Sequence, residues 1–274
     1  MKLKLHISPC PNDTFMFYAL VHHLVDTQGL EFDLRLADIE ELNASALRGE
    51  PDVSKISYGV YPELAERYAL LTAGSALGFG VGPLLVAKQP IDPQDITQCR
   101  VALPGPHTTA HMLFSSAFPS AQRKQHMLFS SIEEAVLQGE ADAGVIIHES
   151  RFTYASRGLH RVLDLGQWWE QQHSLPVPLG GIAVRRSLPP DVQQALNRAL
   201  RASVELAMAQ PHRAAAFVAQ HAQEMSPEVQ RQHIALYVNQ HSINLDALGQ
   251  QAIAALIGAV HFDTAQRNIF VPQT

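Results

Sequence analysis

The sequence predicts two α/β lobes around mainly parallel sheets, and three observations support that prediction. The pattern P-x-P-x-x-T occurs at 9–14 (PCPNDT) and again at 104–109 (PGPHTT). A second pattern, Gly-Glu-x-Asp, follows each copy in the same order, at 49–52 and 139–142. Short apolar runs alternate with stretches of helical spacing, the signature of strands joined by crossover helices.

The first lobe opens with an apolar run at 3–7 and then the first turn, where proline fixes φ and delays the helix until the chain has passed it. The segment DIEELNASALRGEPDVSKIS (38–57) reads as a helix with Asp38 as N-cap and two glutamates in its first turn, where the helix dipole favours them. GEPD stops that helix, and VSKIS is the strand after it. GSALGFGVGP (74–83) is glycine-rich but has neither the Gly-Lys-Ser/Thr ending of a phosphate loop nor dinucleotide-loop spacing, so it reads as a hinge or a cleft wall. The second lobe repeats the plan: an apolar run at 101–103, the second turn, a helix, then SIEEAVLQGEAD with Ser131 as N-cap, and an apolar run at 143–147 that ends at His148.

Beyond LPVPLGGIAVRRSLPPD (175–191) the chain becomes largely helical. Pro189-Pro190 starts one helix, and PHRAAAFVAQHA, SPEVQRQHIALYVN and DALGQQAIAALIGAV read as three more, with Ala and Leu stripes as packing surfaces. This part is expected to return to the first lobe. Lobe 1 is then 1–89 with 179–274, and lobe 2 is the insertion 90–178.

Composition narrows the classes of function. The chain has 274 residues, 46% of them hydrophobic and 17% charged, enough to bury a core without disulfides or metal. Its two cysteines, Cys10 and Cys99, form no disulfide framework and suit a reducing compartment. A formal net charge of −6 and the lack of a dense Lys/Arg run argue against nucleic acid. MKLKLHISPCPND lacks a signal-peptide core and no apolar stretch is long enough to cross a bilayer, so a cytoplasmic protein with no membrane partner is expected.

In open α/β sheets ligands sit outside the carboxyl ends of the strands. Both proline turns, Ser57 and His148 lie at such ends, and facing lobes would line one cleft with all four segments. Helix N–H groups after the turns favour an anion. Thr108 and Thr109 add hydroxyls, and the amides of Thr109 and Ala110 are donors for a carboxylate; the same threonines also suit a plain capping role. Lys55 supplies a cation and Ser57 a hydrogen-bond donor.

Of the 14 histidines, His212, His221, His233 and His241 lie in polar helices and read as solvated, whereas His148 ends a strand. There an imidazole serves as a general base near neutral pH. His107 and His111 share the i, i+4 spacing of a metal pair, but H-E-x-x-H and C-x-x-C are both absent and no metal site is expected.

Taken together, SPCPNDTFMF, VSKISYG, LPGPHTTAHMLF and GVIIHESRFTY resemble the 1,4-dihydroxy-6-naphthoate synthase family of the futalosine route to menaquinone, in order from residue 8 to about 154, and VPLGGIAV fits as well. The resemblance implies a type II periplasmic-binding-protein clamshell with a ligand cleft between its lobes. It implies a lyase that cleaves a carbon–carbon bond of cyclic dehypoxanthinylfutalosine, a small-molecule carboxylate, giving dihydroxynaphthoate and a three-carbon fragment, dihydroxyacetone, without a cofactor. His148 matches the family's proton acceptor, and Lys55, Ile56, Ser57, Thr109 and Ala110 match its substrate contacts. Asn43 joins them as a helix residue that also suits a surface or cap position. Chorismate dehydratase of the same pathway, a plain solute-binding protein and a regulator's effector domain are the competing readings, because fold alone does not decide function.

Overall fold

The chain divides into two compact units, Met1–Gly78 with Pro178–Thr274, and Phe79–Val177. The structure, a computed structural model, describes residues 1–222, 226–259, 262 and 268–272. Unit 1 begins with β1 (Lys2–Ile7), α1 (Pro11–Val21), β2 (Glu31–Leu36), α2 (Ile39–Leu47), β3 (Val53–Ser57), α3 (Tyr61–Leu64), β4 (Tyr68–Leu70) and β5 (Ala76–Gly78). Unit 2 holds β6 (Leu84–Ala87), β7 (Val101–Leu103), α4 (Thr109–Ala117), β8 (Lys124–His126), α5 (Ile132–Leu137), β9 (Ala143–Ile146), α6 (Ser150–Thr153), β10 (His160–Asp164) and α7 (Leu165–His173). The chain returns in β11 (Val177–Arg185) and continues in α8 (Pro190–Ala209), α9 (Pro211–His221), α10 (Pro227–Tyr237), α11 (Gln240–Ile243) and α12 (Ala247–Gly258). The helix expected over 246–260 thus ends at Gly258, and Val260 lies outside the described residues.

The first crossing comes at 78/79, earlier than the expected 89/90, because β6 pairs with β9 and β10 in the sheet of unit 2. The second, at 177/178, is one residue from the expected place. Unit 1 orders its strands β2-β1-β3-β11-β4 with β5 on β11, and unit 2 orders its own β10-β6-β9-β7-β8. Each sheet is mixed rather than mainly parallel. β1 runs parallel to β2 and β3, and β7 to β8 and β9, whereas β11 runs antiparallel to β3 and β4, and β6 antiparallel to β9 and β10. The parallel pairs come from the βα repeats. The antiparallel strands β6 and β11 belong to the segments just after each crossing.

The Gly-Glu-x-Asp repeat is one device built twice. Gly49 (φ 72°) and Gly139 (φ 78°) both take the left-handed conformation that lets a helix end abruptly. Glu50 N–H donates to Ser45 O at 3.1 Å and Glu140 N–H to Ala135 O at 2.9 Å, and each glycine N–H reaches the carbonyl three residues back, which completes a Schellman stop. The aspartate then ties the new strand to its parallel neighbour. Lys4 N–H donates to Asp52 Oδ2 at 2.9 Å, and Arg100 N–H to Asp142 Oδ2 at 2.7 Å. In return Asp52 N–H donates to Lys4 O and Asp142 N–H to Arg100 O.

The proline turns share letters but not geometry. In the first, Pro11 is the first residue of α1, so Thr14 lies inside the helix with its hydroxyl turned back to Cys10 O at 3.1 Å. In the second, Gly105 (φ 137°) and the two residues after it extend the turn, and α4 begins only at Thr109. The caps differ too. Asp38 accepts from Glu40 N–H as expected, but Ser131 makes no side-chain cap, because a 3₁₀ turn over Phe129–Ser131 leads straight into α5.

The core of unit 1 packs Leu3, Leu5 and Ile7 of β1 and Phe15, Met16 and Leu20 of α1 against Leu196, Leu200 and Val204 of α8. α1 is thereby buried on nearly every side. In unit 2, Ile132 and Val136 of α5 press on Gly144 of β9, where a Cβ would stand 2.5 and 2.9 Å from their methyl groups.

Hydrogen bonds from the Arg100 side chain and backbone hold the Asp142 carboxyl below its ordinary 3.8. A carboxyl lowered by folding stabilises the fold fully above its unfolded value, and that contribution is lost as the pH falls through the folded one. Asp142→Asn keeps an acceptor and removes the charge, so it should lower stability at neutral pH by about 1 kcal/mol, a figure discounted for the pair's exposure. Urea unfolding of both proteins from pH 7 to 2.5 should show this gap closing in acid. A gap of constant size would mean that the charge plays no part.

Candidate functional site

In unit 1 the polar residues gather at the C-terminal end of β3. Asn43, from the buried face of α2, holds Ser57: its Oδ1 accepts from Ser57 N–H at 2.9 Å and its Nδ2 donates to Ser57 Oγ at 3.1 Å. Asn43 is fully buried, neither a surface nor a helix-cap residue, and what it demonstrably does is brace Ser57. Ile56 is fully buried as well and pairs with Gly181 of β11. The two glycines of β11 make this packing possible. A Cβ on Gly180 would lie 2.6 Å from Ile56 O, and one on Gly181 would lie 2.4 Å from the Tyr58 hydroxyl.

Lys55 points its ammonium at Asp13, with Nζ 2.8 Å from Oδ1 and side chains 6% and 1% exposed. Asp13 is its one hydrogen-bond acceptor among the described residues. An ammonium carries three donors, and only one of them is given to Asp13. The sequence reading missed Asp13. Its signal was an acid in the first turn of a helix that follows a proline turn, a common place for a plain dipole partner.

In unit 2, Thr108 is the N-cap of α4: its hydroxyl accepts from His111 N–H at 3.1 Å and donates to Gly105 O at 2.9 Å. Thr109 and Ala110 are the first two helical residues, whose N–H groups precede any intrahelical acceptor. The capping and anion-binding readings are therefore compatible, since the Thr108 hydroxyl serves the third amide. The two proline turns now separate by charge. The first turn of α1 carries Asp13, whereas that of α4 carries no acid.

His148 lies two residues past β9, half-buried, with φ 55°. A left-handed backbone is uncommon for a residue with a Cβ and persists where the surroundings impose it. The Phe129 ring meets the imidazole edge to face, centroids 4.9 Å apart. Behind it, Arg151 donates to Gly82 O at 2.7 Å, Gly80 O at 3.0 Å and Asp164 Oδ2 at 2.8 Å, and its own N–H reaches His148 O at 3.4 Å. Ser150 is tied to Glu133, which Arg157 pairs in turn. Arg151 also escaped the sequence reading, because its partners are distant in the chain.

His111 pairs with His126, Nδ1 to Nε2 at 3.0 Å. Burial, then the neighbouring His126, Lys124 and His107, pushes the His111 imidazole down to about 4, so it is neutral at pH 7. Among the described residues no three His, Cys, Asp or Glu are placed to hold a metal ion, and no helix is long and apolar enough to cross a membrane. His212 is exposed as expected and His221 and His241 are half-buried, but His233 is fully buried: it lies on a face of α10 that packs against α1 and bonds Asn12.

Residues 3–261 match the family described as menaquinone biosynthesis. A 1,4-dihydroxy-6-naphthoate synthase of Thermus thermophilus is 46% identical over 254 residues, 93% of this chain and 92% of the relative. The crystal structure of an Archaeoglobus fulgidus protein superposes with a TM-score of 0.89 at 37% identity, covering 95% of this chain and 97% of the other. A Candida albicans protein described as having the generic periplasmic-binding-protein fold superposes at 0.69 with 12% identity, over 96% and 91%, a likeness of fold alone.

Truncation of Asn43 tests the brace. Asn43→Ala leaves Ser57 N–H and Oγ without their partner and should cost about 2–3 kcal/mol in urea unfolding. Asn43→Asp, which keeps the acceptor for the N–H, should cost less. A loss below about 0.5 kcal/mol for the alanine variant would mean the brace carries no weight.

Proposed function

We propose a reaction for this chain from one premise: it belongs to the menaquinone-biosynthesis family. It is an enzyme of that pathway, a lyase, on the periplasmic-binding-protein fold. The reaction read here is carbon–carbon cleavage of cyclic dehypoxanthinylfutalosine to 1,4-dihydroxy-6-naphthoate and dihydroxyacetone. The observation that carries it is His148, an imidazole just past the end of β9 with a left-handed backbone, its ring against Phe129 and its carbonyl met by Arg151 N–H.

In this reading His148 takes the proton of a sugar-derived hydroxyl. The oxygen's electrons form a carbonyl, the adjacent carbon–carbon bond breaks, and its electron pair passes into the bicyclic ring, which becomes aromatic once protons are redistributed. The scission is redox-neutral and calls for no oxidant. The amides of Thr109 and Ala110, with Thr108 shaping the turn, bind the substrate carboxylate at the N-terminus of α4. Lys55 offers its remaining N–H donors to substrate oxygens, Ser57 offers its hydroxyl, and Ile56 and Asn43 hold that strand end in place. A cytoplasmic location belongs to the same reading.

The test is turnover of cyclic dehypoxanthinylfutalosine by the unmodified chain and by His148→Ala, with substrate binding measured in parallel. General-base help amounts to about 10²–10⁴-fold, so the variant should lose that much kcat and keep its affinity. Binding without turnover in either protein would favour a solute-binding role. Full activity in the variant would remove His148 from the chemistry.

A further inference from the structure

We propose that Asp13 is a positioning residue, set by Asn12 and His233, that fixes where Lys55 presents its free N–H donors. The proposal rests on the reading above that Lys55 contacts substrate.

Four buried groups converge on this carboxylate or on the amide beside it. Asp13 Oδ1 accepts from Lys55 Nζ at 2.8 Å and from Asn12 Nδ2 at 2.9 Å, and Oδ2 accepts from Ser8 Oγ at 2.7 Å. Donors on both oxygens leave the carboxylate plane no freedom to turn. Asn12 is itself locked: its Nδ2 faces the carboxylate, so its Oδ1 faces His233 Nε2 at 2.9 Å, and Nε2 must carry the proton. The imidazole comes from α10, and it is fully buried, with the Tyr237 ring 4.7 Å away. A residue late in the chain thus sets the rotamer of one in the first helix.

The lysine stem is guided as well. A Cβ on Gly180 would stand 3.3 Å from Lys55 Cε, so the bare glycine gives the stem its path across β11. An unpinned lysine loses much rotamer freedom on binding, whereas a pinned one has already lost it. A carboxylate that only riveted α1 to β3 would need no second lock through Asn12 and His233. A carboxylate that aims an ammonium does.

The experiment is a double-mutant cycle with Asp13→Asn, Lys55→Met and the pair combined. It reads kcat and KM on cyclic dehypoxanthinylfutalosine alongside thermal melting. Asp13→Asn should raise KM about tenfold to a hundredfold with kcat within about threefold. Lys55→Met should do at least the same, and the double variant should match Lys55→Met, because Asp13 acts through the lysine. The double variant removes both charges together and should regain melting temperature relative to Asp13→Asn without regaining KM.

If Asp13→Asn does not fold, Ser8→Ala removes one bond to the carboxylate and the acceptor of Cys10 N–H but keeps both charges; it should raise KM about threefold to tenfold with a modest loss of melting temperature. A wild-type KM in Asp13→Asn, or in Ser8→Ala where that variant stands in, overturns the proposal. So does a double variant weaker than Lys55→Met by the full Asp13→Asn factor. No turnover by the unmodified chain overturns the functional reading and this proposal with it, whereas turnover with an unaffected Asp13→Asn overturns this proposal alone.

Discussion

Each unit depends on one aspartate that closes a helix-to-strand turn against the neighbouring parallel strand. Asp52 and Asp142 each exchange a pair of hydrogen bonds with a residue of the adjacent chain segment, Lys4 and Arg100. That exchange sets which residue of β3 lies beside which residue of β1, and likewise for β9 and β7. A one-residue slip would turn every side chain to the opposite face. With the register fixed at the start of β3 and β9, the residues leaving their far ends, Ser57 and His148, have no latitude either. These two strand ends are placed by distant caps as much as by their own contacts.

The Lys55–Asp13 pair and the His148 backbone are held at a cost. The Lys55–Asp13 pair is nearly dry, and a buried ion pair gains little over well-packed apolar residues, while removing one partner costs about 3–5 kcal/mol. The left-handed backbone of His148 costs about 1–3 kcal/mol more. Neither is an economical route to stability. Both make sense where a charge and an imidazole must each be presented in one orientation, and the surrounding bonds of Ser8, Asn12, Arg151 and Asp164 offset the expense.

What was legible in the sequence was what the chain decides locally. Gly-Glu-x-Asp spells the same structure twice because a left-handed glycine and a capping aspartate act within a few residues of each other. The helices after Pro190, Pro211 and Pro227 begin at their prolines for the same reason. P-x-P-x-x-T misleads because the helix starts at different places after it, with cysteine between the prolines in one copy and a positive-φ glycine in the other. His233 reads as solvated from the sequence because its partner, Asn12, belongs to a helix at the other end of the chain. Asn43 was ambiguous for the same reason, since nothing local says which face of α2 turns towards β3. The sheets were read as mainly parallel because the βα repeats dominate the pattern, and the antiparallel strands carry no local mark of direction.

The strand order of unit 1 also dictates an order of events during synthesis. β11 lies between β3 and β4, and the helices that cover α1 are α8, α9 and α10. A nascent chain that has emerged through β5 therefore has a sheet lacking the strand between β3 and β4 and a first helix still without α8, α9 and α10. Unit 2 is continuous, from Phe79 to Val177, and every strand of its sheet is in hand before β11 is made. The ribosome thus releases the later-numbered sheet ready to fold while the earlier one waits, its apolar α1 and open strand edges exposed through the making of about a hundred more residues. For such a chain, the period of greatest exposure to misassembly is written into the topology rather than into any single weak contact.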